Sequence, residues 1–574
     1  MPKRWGLPPI RFLIIVVLTA LPLLAQVGPG EARHGLVVSA RELASQAGVE
    51  ILQKGGNAVD AAAATGLALA VVYPIAGNLG GGGFMLIHLA DGQNIAIDYR
   101  ETAPAAASRN MYLGPNGKVI DGLSTSGWRA SGVPGTVAGF SYATERFGSH
   151  RVTWAEICEP ARRLAADGFV VSKDTADRLQ AYRRPLSRFE ESRRLYLNGG
   201  VFHKLGEKWI QTDLGGTFAR LQENGPRDFY EGETARRIAG AMSANGGDIT
   251  LADLRNYRVA CRSPLLGKYR GYDIVTMPPP SSGGVALLQM LGMVEAYDVS
   301  SLGPTSVAKY HLFAEVMKRA FRDRSEYLGD PDFVNVPVRQ LLYLPYLRGR
   351  MADFNPDRAT PADAIKPGLG KLRAVVGHEA NETTHFSVVD SAGNAVSNTY
   401  TLNGAFGSAV TIPGTGILMN NQMDDFTSAL GVPNVYGLIQ GEANTIAPIK
   451  RPLSSMTPSF VLKDGRLVLI TGSPGGPTII NTVFQVITNF IDFRMTAQQA
   501  VDAPRINEQW MPDVITCEQN GMAPSTAAGL RAEGYNLEEV GRQGDAETIA
   551  VDLRTGRSFG AADPRNPEAK AVGY

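Results

Sequence analysis

Residues 381–390 read Asn381-Glu382-Thr383-Thr384-His385-Phe386-Ser387-Val388-Val389-Asp390. The stretch 384–389 is rich in β-formers, and Phe386 and Val388 share one alternating face, which predicts a strand. Asp390-Ser391-Ala392-Gly393 has the composition of a turn, and residues 395–401 predict the returning strand. Thr383 therefore stands at the mouth of a hairpin, directly after a polar, weakly patterned segment, 376–382. That placement suits a chain cut between Glu382 and Thr383, with Thr383 as a new N-terminus. A threonine hydroxyl alone is a poor nucleophile. An N-terminal threonine carries its own base, an α-amine with a pKa of roughly 8, which can take the hydroxyl proton directly or through one water. Thr-Thr at a strand start is also ordinary strand chemistry, so the weight of this reading rests on the rest of the chain.

The chain has 574 residues, 44% hydrophobic and 19% charged, with a formal net charge of +1. These values are those of a globular protein with a large core. Near-neutral charge, with no basic cluster interleaved with aromatics, gives no footprint for nucleic acid. Lys3, Arg4 and Arg11 precede or open an apolar run, 12–24. That layout predicts a secretory signal peptide over residues 1–25 and a periplasmic or secreted protein; a retained N-terminal anchor is the alternative. Cys158, Cys261 and Cys517 are far apart and are expected to be buried single thiols. The seven histidines show no metal-ligand spacing, so neither metal nor cofactor is expected.

Before residue 383 helical patterns dominate: 40–54, 58–72 with Asn57 as its cap, 154–166, 217–224, 233–244, 285–297 and 307–324. Residues 350–382 have a linker's composition. After residue 383 hairpins dominate, turning at Asp464-Gly465 and near Thr555-Gly556, with helices at 481–493 and 525–533. The run Gly80-Gly81-Gly82-Gly83 lacks the spacing of a nucleotide-binding loop. It predicts a backbone that passes close to another segment.

Several polar clusters fall at predicted strand ends. Thr401 and Asn403 close the strand that pairs with the Thr383 strand. Asn421-Gln422-Met423-Asp424-Asp425-Phe426 groups amides with carboxylates, and Pro452-Leu453-Ser454-Ser455-Met456 presents two adjacent hydroxyls. Gly472-Ser473-Pro474-Gly475-Gly476 follows a strand and can aim backbone N–H groups at one oxyanion. Each alone is common turn or capping chemistry. Together they suit a zwitterionic amino-acid head group lying beside an acyl carbon.

These segments closely resemble the gamma-glutamyltransferase (glutathione hydrolase) family. So do Asn78-Leu79-Gly80-Gly81-Gly82-Gly83, Tyr99-Arg100-Glu101-Thr102-Ala103-Pro104, Met277-Pro278-Pro279-Pro280-Ser281-Ser282-Gly283-Gly284 and Asp323-Arg324-Ser325-Glu326-Tyr327-Leu328-Gly329-Asp330. The match runs in order from about His34 to Tyr574. The resemblance implies an α+β, four-layer αββα sandwich of the N-terminal-nucleophile hydrolase type. It implies a precursor that cuts itself into a large subunit, 26–382, and a small catalytic one, 383–574, which stay together as a heterodimer. By motif position Thr383 would be the nucleophile, Thr401 its orienting partner, and Gly475 and Gly476 the oxyanion donors. Arg100, Ser454 and Ser455 would hold the substrate α-carboxylate. Asn403, Gln422 and Asp425 would hold the α-ammonium. Residues 430–441 resemble a lid loop with Tyr436 as its shielding residue. Glutathione and other γ-glutamyl compounds would be donors; water, amino acids or dipeptides would be acceptors.

His385 shares a strand face with Thr383, but the α-amine makes a second base redundant, so His385 is expected to be structural. The sequon Asn381-Glu382-Thr383 is read as accidental. A related glutaryl- or cephalosporin-type acylase is the alternative function; it needs no ammonium site, and Asp425 and the lid weigh against it. An inactive amino-acid-binding homologue is a further rival. A serine hydrolase is a weaker rival still, for want of a GxSxG elbow.

Overall fold

The computed structural model describes residues 30–370, 383–432, 434 and 437–574. The signal-peptide reading of residues 1–25, Glu382 and Tyr436 lie outside them.

Two seven-stranded antiparallel sheets form the centre. The first runs, edge to edge, Lys570–Gly573, Gly35–Ser39, Thr384–Asp390, Ala395–Thr401, Gly82–His88, Asn94–Asp98 and Ala260–Arg262. The second runs Glu31–Ala32, Ser558–Ala561, Thr548–Val551, Arg466–Thr471, Ser459–Lys463, Tyr272–Thr276 and Leu265–Tyr269. Each sheet takes strands from both sides of residue 383. The helix-rich and hairpin-rich halves therefore share one sheet system, a point that composition left open.

The sheets stack face to face, and helices cover their outer faces. Glu42–Gln53 and Ala58–Val72 lie on the first sheet; Gly283–Val294 and Ala497–Asp502 lie on the second, and Thr478–Ile491 packs against both of these helices. This is the expected αββα order. Period-two alternation builds it. Phe386, Val388 and Val396 face the helix layer with Val37, while Val38, Phe84, Leu86 and Val389 join Phe460 and Leu469 between the sheets. Each such side chain contributes about 1.5–3 kcal/mol by leaving water.

Ala58–Val72 is buried along its whole length, as its all-apolar face implies. Asn57 caps it as read from the sequence: Oδ1 accepts from the N–H groups of Val59 and Asp60, and Asp60 Oδ2 accepts from Asn57 N–H.

The glycine run passes close to the Thr401 strand. A Cβ on Gly81 would lie 2.1 Å from the Thr401 carbonyl oxygen, and one on Gly83 2.4 Å from that of Thr399. Only glycine allows the approach that pins the end of the hairpin.

Two expectations need correction. Cys158 and Cys517 are buried, but Cys261 is exposed, because it lies on the last strand of the first sheet, where one side has no neighbour; all three are free thiols. The stretch read as a linker is docked as far as residue 370. The Thr360 carbonyl accepts from Lys318 Nζ (2.8 Å), the Ala362 carbonyl from Trp510 Nε1 (2.8 Å), and Gly368 N–H donates to Asp323 (3.1 Å). Charge and proline mimic a linker here, whereas the irregular chain is tied down by side chains remote in sequence. Among the described residues no helix is long and apolar enough to cross a membrane.

Candidate active site

The strand Thr384–Asp390 pairs with Ala395–Thr401 in a register that sets Thr384 opposite Tyr400. One step further along this register, Thr383 faces Thr401. Both line a cavity with an empty volume of about 350 Å³, together with Arg100, Asn403, Gln422, Asp425, Ser454, Ser455 and Gly476. Of the described residues proposed from sequence for the site, only Gly475 is not in the lining; it sits one residue behind.

Asn403 turns the chain back after the strand with φ +79°, a left-handed conformation that asparagine tolerates. Its N–H donates to Thr401 Oγ1 at 2.8 Å, which fixes that hydroxyl beside Thr383. Gly475 and Gly476 have φ +128° and +55°, and they lead into the helix Thr478–Ile491. The Gly475 carbonyl is held by Thr478 N–H (3.1 Å) and Thr478 Oγ1 (2.8 Å). Neither glycine's N–H donates to another group among the described residues. Two free backbone donors at a helix N-terminus favour a developing negative charge.

Arg100 and Asp425 are ion-paired inside the cavity. The Arg100 guanidinium also donates to the carbonyls of Leu453 (3.2 Å) and Pro452 (3.4 Å), and Gln422 Nε2 donates to Asp425 at 2.6 Å. Burial pushes the Asp425 carboxyl up, and Arg100 and Gln422 oppose that shift. The sequence reading gave these two residues opposite ends of a substrate; they also pair with each other. A bound zwitterion would present its carboxylate to Arg100 and its ammonium to Asp425, replacing one charge pair with two. Gln422 Oε1 is buried with no hydrogen-bond partner among the described residues, an acceptor left for an ammonium.

Sequence reasoning missed four side chains here. Arg324 lines the cavity, and its guanidinium reaches Ser282 and Ser455. Gln440 lines it too, and Gln440 Nε2 (2.9 Å) and Asn444 Nδ2 (2.6 Å) both donate to the Asp425 carbonyl. Glu101 is fully buried beside Arg100 (3.7 Å), and burial pushes its carboxyl up to about 7. Arg324 and Glu101 sit inside motifs that had been quoted without a role. Gln440 and Asn444 act through contacts that have no local pattern. Of the lid segment, Leu438 and Gln440 reach the cavity.

His385 is structural. Ser387 Oγ donates to the Glu547 carbonyl (2.7 Å), so it accepts from His385 Nε2 (3.1 Å), and Nδ1 then accepts from Thr399 Oγ1 (2.9 Å). Both ring nitrogens are used, and the ring packs on Gly472, where a Cβ would meet it at 2.3 Å. Burial lowers its pKa from 6.5 to about 3. The unfolded chain therefore binds this proton below about pH 6.5 and the folded one only near pH 3. The imidazole costs stability progressively as pH falls through that window, by about 2–3 kcal/mol near pH 4.5. Denaturant titrations of His385→Asn should show a flatter loss of stability between about pH 7 and 4.5 than the parent. Its pH–rate profile from about pH 6 to 9 should keep the parent's shape; loss of the rise in rate with pH on the acid side would make His385 the base.

The model of the family described as "Gamma-glutamyltranspeptidase" matches residues 44–573. A glutathione hydrolase proenzyme of Escherichia coli (strain K12) is 45% identical over 547 residues, 95% of this chain and 93% of that protein. The crystal structure of cephalosporin acylase from Bacillus halodurans superposes with a TM-score of 0.82 at 26% identity, over 98% of this chain and 99% of that one. That of Helicobacter pylori gamma-glutamyltranspeptidase gives a TM-score of 0.57 at 42% identity, over 61% of this chain and 97% of that one. With its two stacked sheets, its threonine at the hairpin mouth and this near-complete match, the chain belongs to the gamma-glutamyltranspeptidase family.

Proposed function

We propose that this protein is a γ-glutamyl hydrolase and transferase acting on glutathione and related γ-glutamyl amides, with Thr383 as its nucleophile. The observation that carries the reading is the buried Arg100–Asp425 pair in the cavity that Thr383 and Gly476 line. It is the charge complement of an α-amino acid head group held next to an acyl carbon.

In this reading the precursor is cut between Glu382 and Thr383, and 26–382 and 383–574 remain together as large and small subunits. The free α-amine of Thr383 takes the proton from its own Oγ as Oγ attacks the γ-carbonyl carbon. Thr401 orients that hydroxyl. The carbonyl oxygen becomes an oxyanion facing the N–H groups of Gly475 and Gly476. The C–N bond then breaks, the ammonium of Thr383 returns the proton to the leaving amine, and a γ-glutamyl ester remains. Water resolves the ester to glutamate; an amino acid or dipeptide amine resolves it to a new γ-glutamyl amide. Arg100, Ser454 and Ser455 hold the α-carboxylate throughout, and Asn403, Gln422 and Asp425 hold the α-ammonium. Tyr436 shields the bound head group, and the N-terminal segment directs the protein to the periplasm or beyond.

A glutaryl- or cephalosporin-type acylase is the second reading, favoured by the close likeness to the cephalosporin acylase structure. A glutaryl anilide carries the α-carboxylate-like end and the scissile amide but no ammonium. The mature protein should hydrolyse a γ-glutamyl anilide with a kcat/KM at least about 100-fold above that for the glutaryl anilide, the equivalent of one lost buried charge contact. Equal values would transfer the assignment to the acylase.

A further inference from the structure

We propose that Arg324, backed by Ser282, is a positioning residue that makes the Ser455 hydroxyl a donor and holds the Ser454 turn, whose hydroxyl is likewise a donor, beside it, and so selects a carboxylate at that end of the cavity. This rests on the γ-glutamyl reading above and adds to it the means by which one end of the zwitterion is recognised.

The inference follows from the polarity of each hydrogen bond. A serine hydroxyl both donates and accepts, so alone it discriminates poorly between an anion and a cation. Here both hydroxyls already accept from groups that can only donate. Ser454 Oγ accepts from the Met456 N–H at 3.1 Å. Ser455 Oγ accepts from the Arg324 guanidinium at 3.1 Å. Each then has its own proton left for a ligand. Two O–H donors side by side, with cationic Arg100 and Arg324 in the same lining, fit a carboxylate and repel an ammonium.

Arg324 is well placed to hold this polarity. It lies on the long helix Val307–Tyr327, 2% exposed. Its Nε donates to Ser282 Oγ at 2.8 Å, and Ser282 Oγ in turn donates to the Ser454 carbonyl at 2.6 Å. The Ser282 N–H reaches the same carbonyl at 2.7 Å. One guanidinium thus fixes the side chain of Ser455 directly and the backbone of Ser454 through Ser282. The turn that carries Ser282 is tied to the Ser454 turn by the Ser281–Ser454 bridge, and a Cβ on Gly283 would overlap Thr457 Oγ1 at 2.1 Å, so the two segments cannot slide apart without loss of contact.

The test compares two donors on the mature protein. A γ-glutamyl anilide carries the α-carboxylate; a 4-aminobutyryl anilide keeps the ammonium and the scissile amide but lacks the carboxylate. Arg324→Gln should raise KM for the γ-glutamyl anilide at least about tenfold, the scale of one charge-assisted hydrogen bond, with kcat changed less than about threefold. Kinetics on the 4-aminobutyryl anilide should stay within about twofold of the parent. Arg324→Lys, which restores a cationic donor, should recover part of the loss, and Ser282→Ala should show a smaller KM effect of the same kind. Self-cleavage, read by intact mass, monitors folding in every variant. Equal losses on both donors would mean a merely structural arginine, and unchanged KM for the γ-glutamyl anilide would likewise overturn the proposal. A parent protein without turnover on the γ-glutamyl anilide would instead defeat the functional assignment itself. Thermal stabilisation by glutamate then still reads the site, and its survival in Arg324→Gln would overturn the proposal.

Discussion

Thr383→Ala should abolish both self-cleavage and turnover, leaving an intact chain whose rate on a γ-glutamyl anilide is reduced by roughly 10⁵-fold or more, the scale on which removing a catalytic nucleophile acts. The reason is geometric. Among the described residues lining the cavity, Thr383 alone combines a hydroxyl with the place at the end of the Thr384–Asp390 strand, one step beyond the Thr384–Tyr400 pair, in a cavity that Gly476 also lines. Ser454 and Ser455 are hydroxyls too, but Ser454 is held by the Met456 N–H of its own turn and Ser455 by Arg324 of the helix Val307–Tyr327. His385 offers no substitute base, because both its nitrogens are taken and burial keeps it neutral. Thr383→Ser keeps a hydroxyl and an α-amine and should retain measurable activity. Equal loss in Ala and Ser would point to a packing defect. If the α-amine is the base, kcat/KM of the parent should rise with pH through roughly 7–8, the ordinary range for that group.

Asp425→Asn should be the next largest effect: a fall of roughly 10²–10³ in kcat/KM for γ-glutamyl donors, with self-cleavage intact. The substitution keeps the shape and removes one charge. It leaves the Arg100 guanidinium, 1% exposed, without its hydrogen-bonded counter-ion, with Glu101 at 3.7 Å as the remaining carboxyl. Such a loss typically costs about 2–5 kcal/mol. It also deprives the substrate ammonium of its partner. The glutaryl anilide, with no ammonium, should lose far less, so the ratio between the two donors is the diagnostic quantity. Equal losses on both would remove Asp425 from ammonium recognition. Cleavage should survive because Asp425 is held through its own carbonyl by Gln440 and Asn444, contacts that the change leaves in place.

Much of this was legible before any coordinates. The hairpin around Thr383 declares itself because a buried strand facing two layers must alternate, and Phe386 and Val388 do. The αββα order followed from family resemblance, since local patterns say nothing of which strands pair across hundreds of residues: Gly35–Ser39 joins Thr384–Asp390, and Tyr272–Thr276 joins Ser459–Lys463. The same limit hid the neighbours of the site. Arg324 reads as an ordinary helix residue until the helix is laid against the Ser282 and Ser455 turns. Cys261 reads as one more apolar-environment thiol until its strand proves to be the sheet edge. Arg100 and Asp425 were each recognised, but their mutual pairing was not, because residues 325 positions apart carry no local signal of contact.

The most direct test of the central claim is the intact mass of the purified mature protein after denaturation. The account predicts two polypeptides, the smaller beginning at Thr383 and running to Tyr574, and a single uncut chain for Thr383→Ala. A parent that stays a single chain yet still hydrolyses a γ-glutamyl anilide would contradict it, because Thr383 would then have no α-amine with which to act.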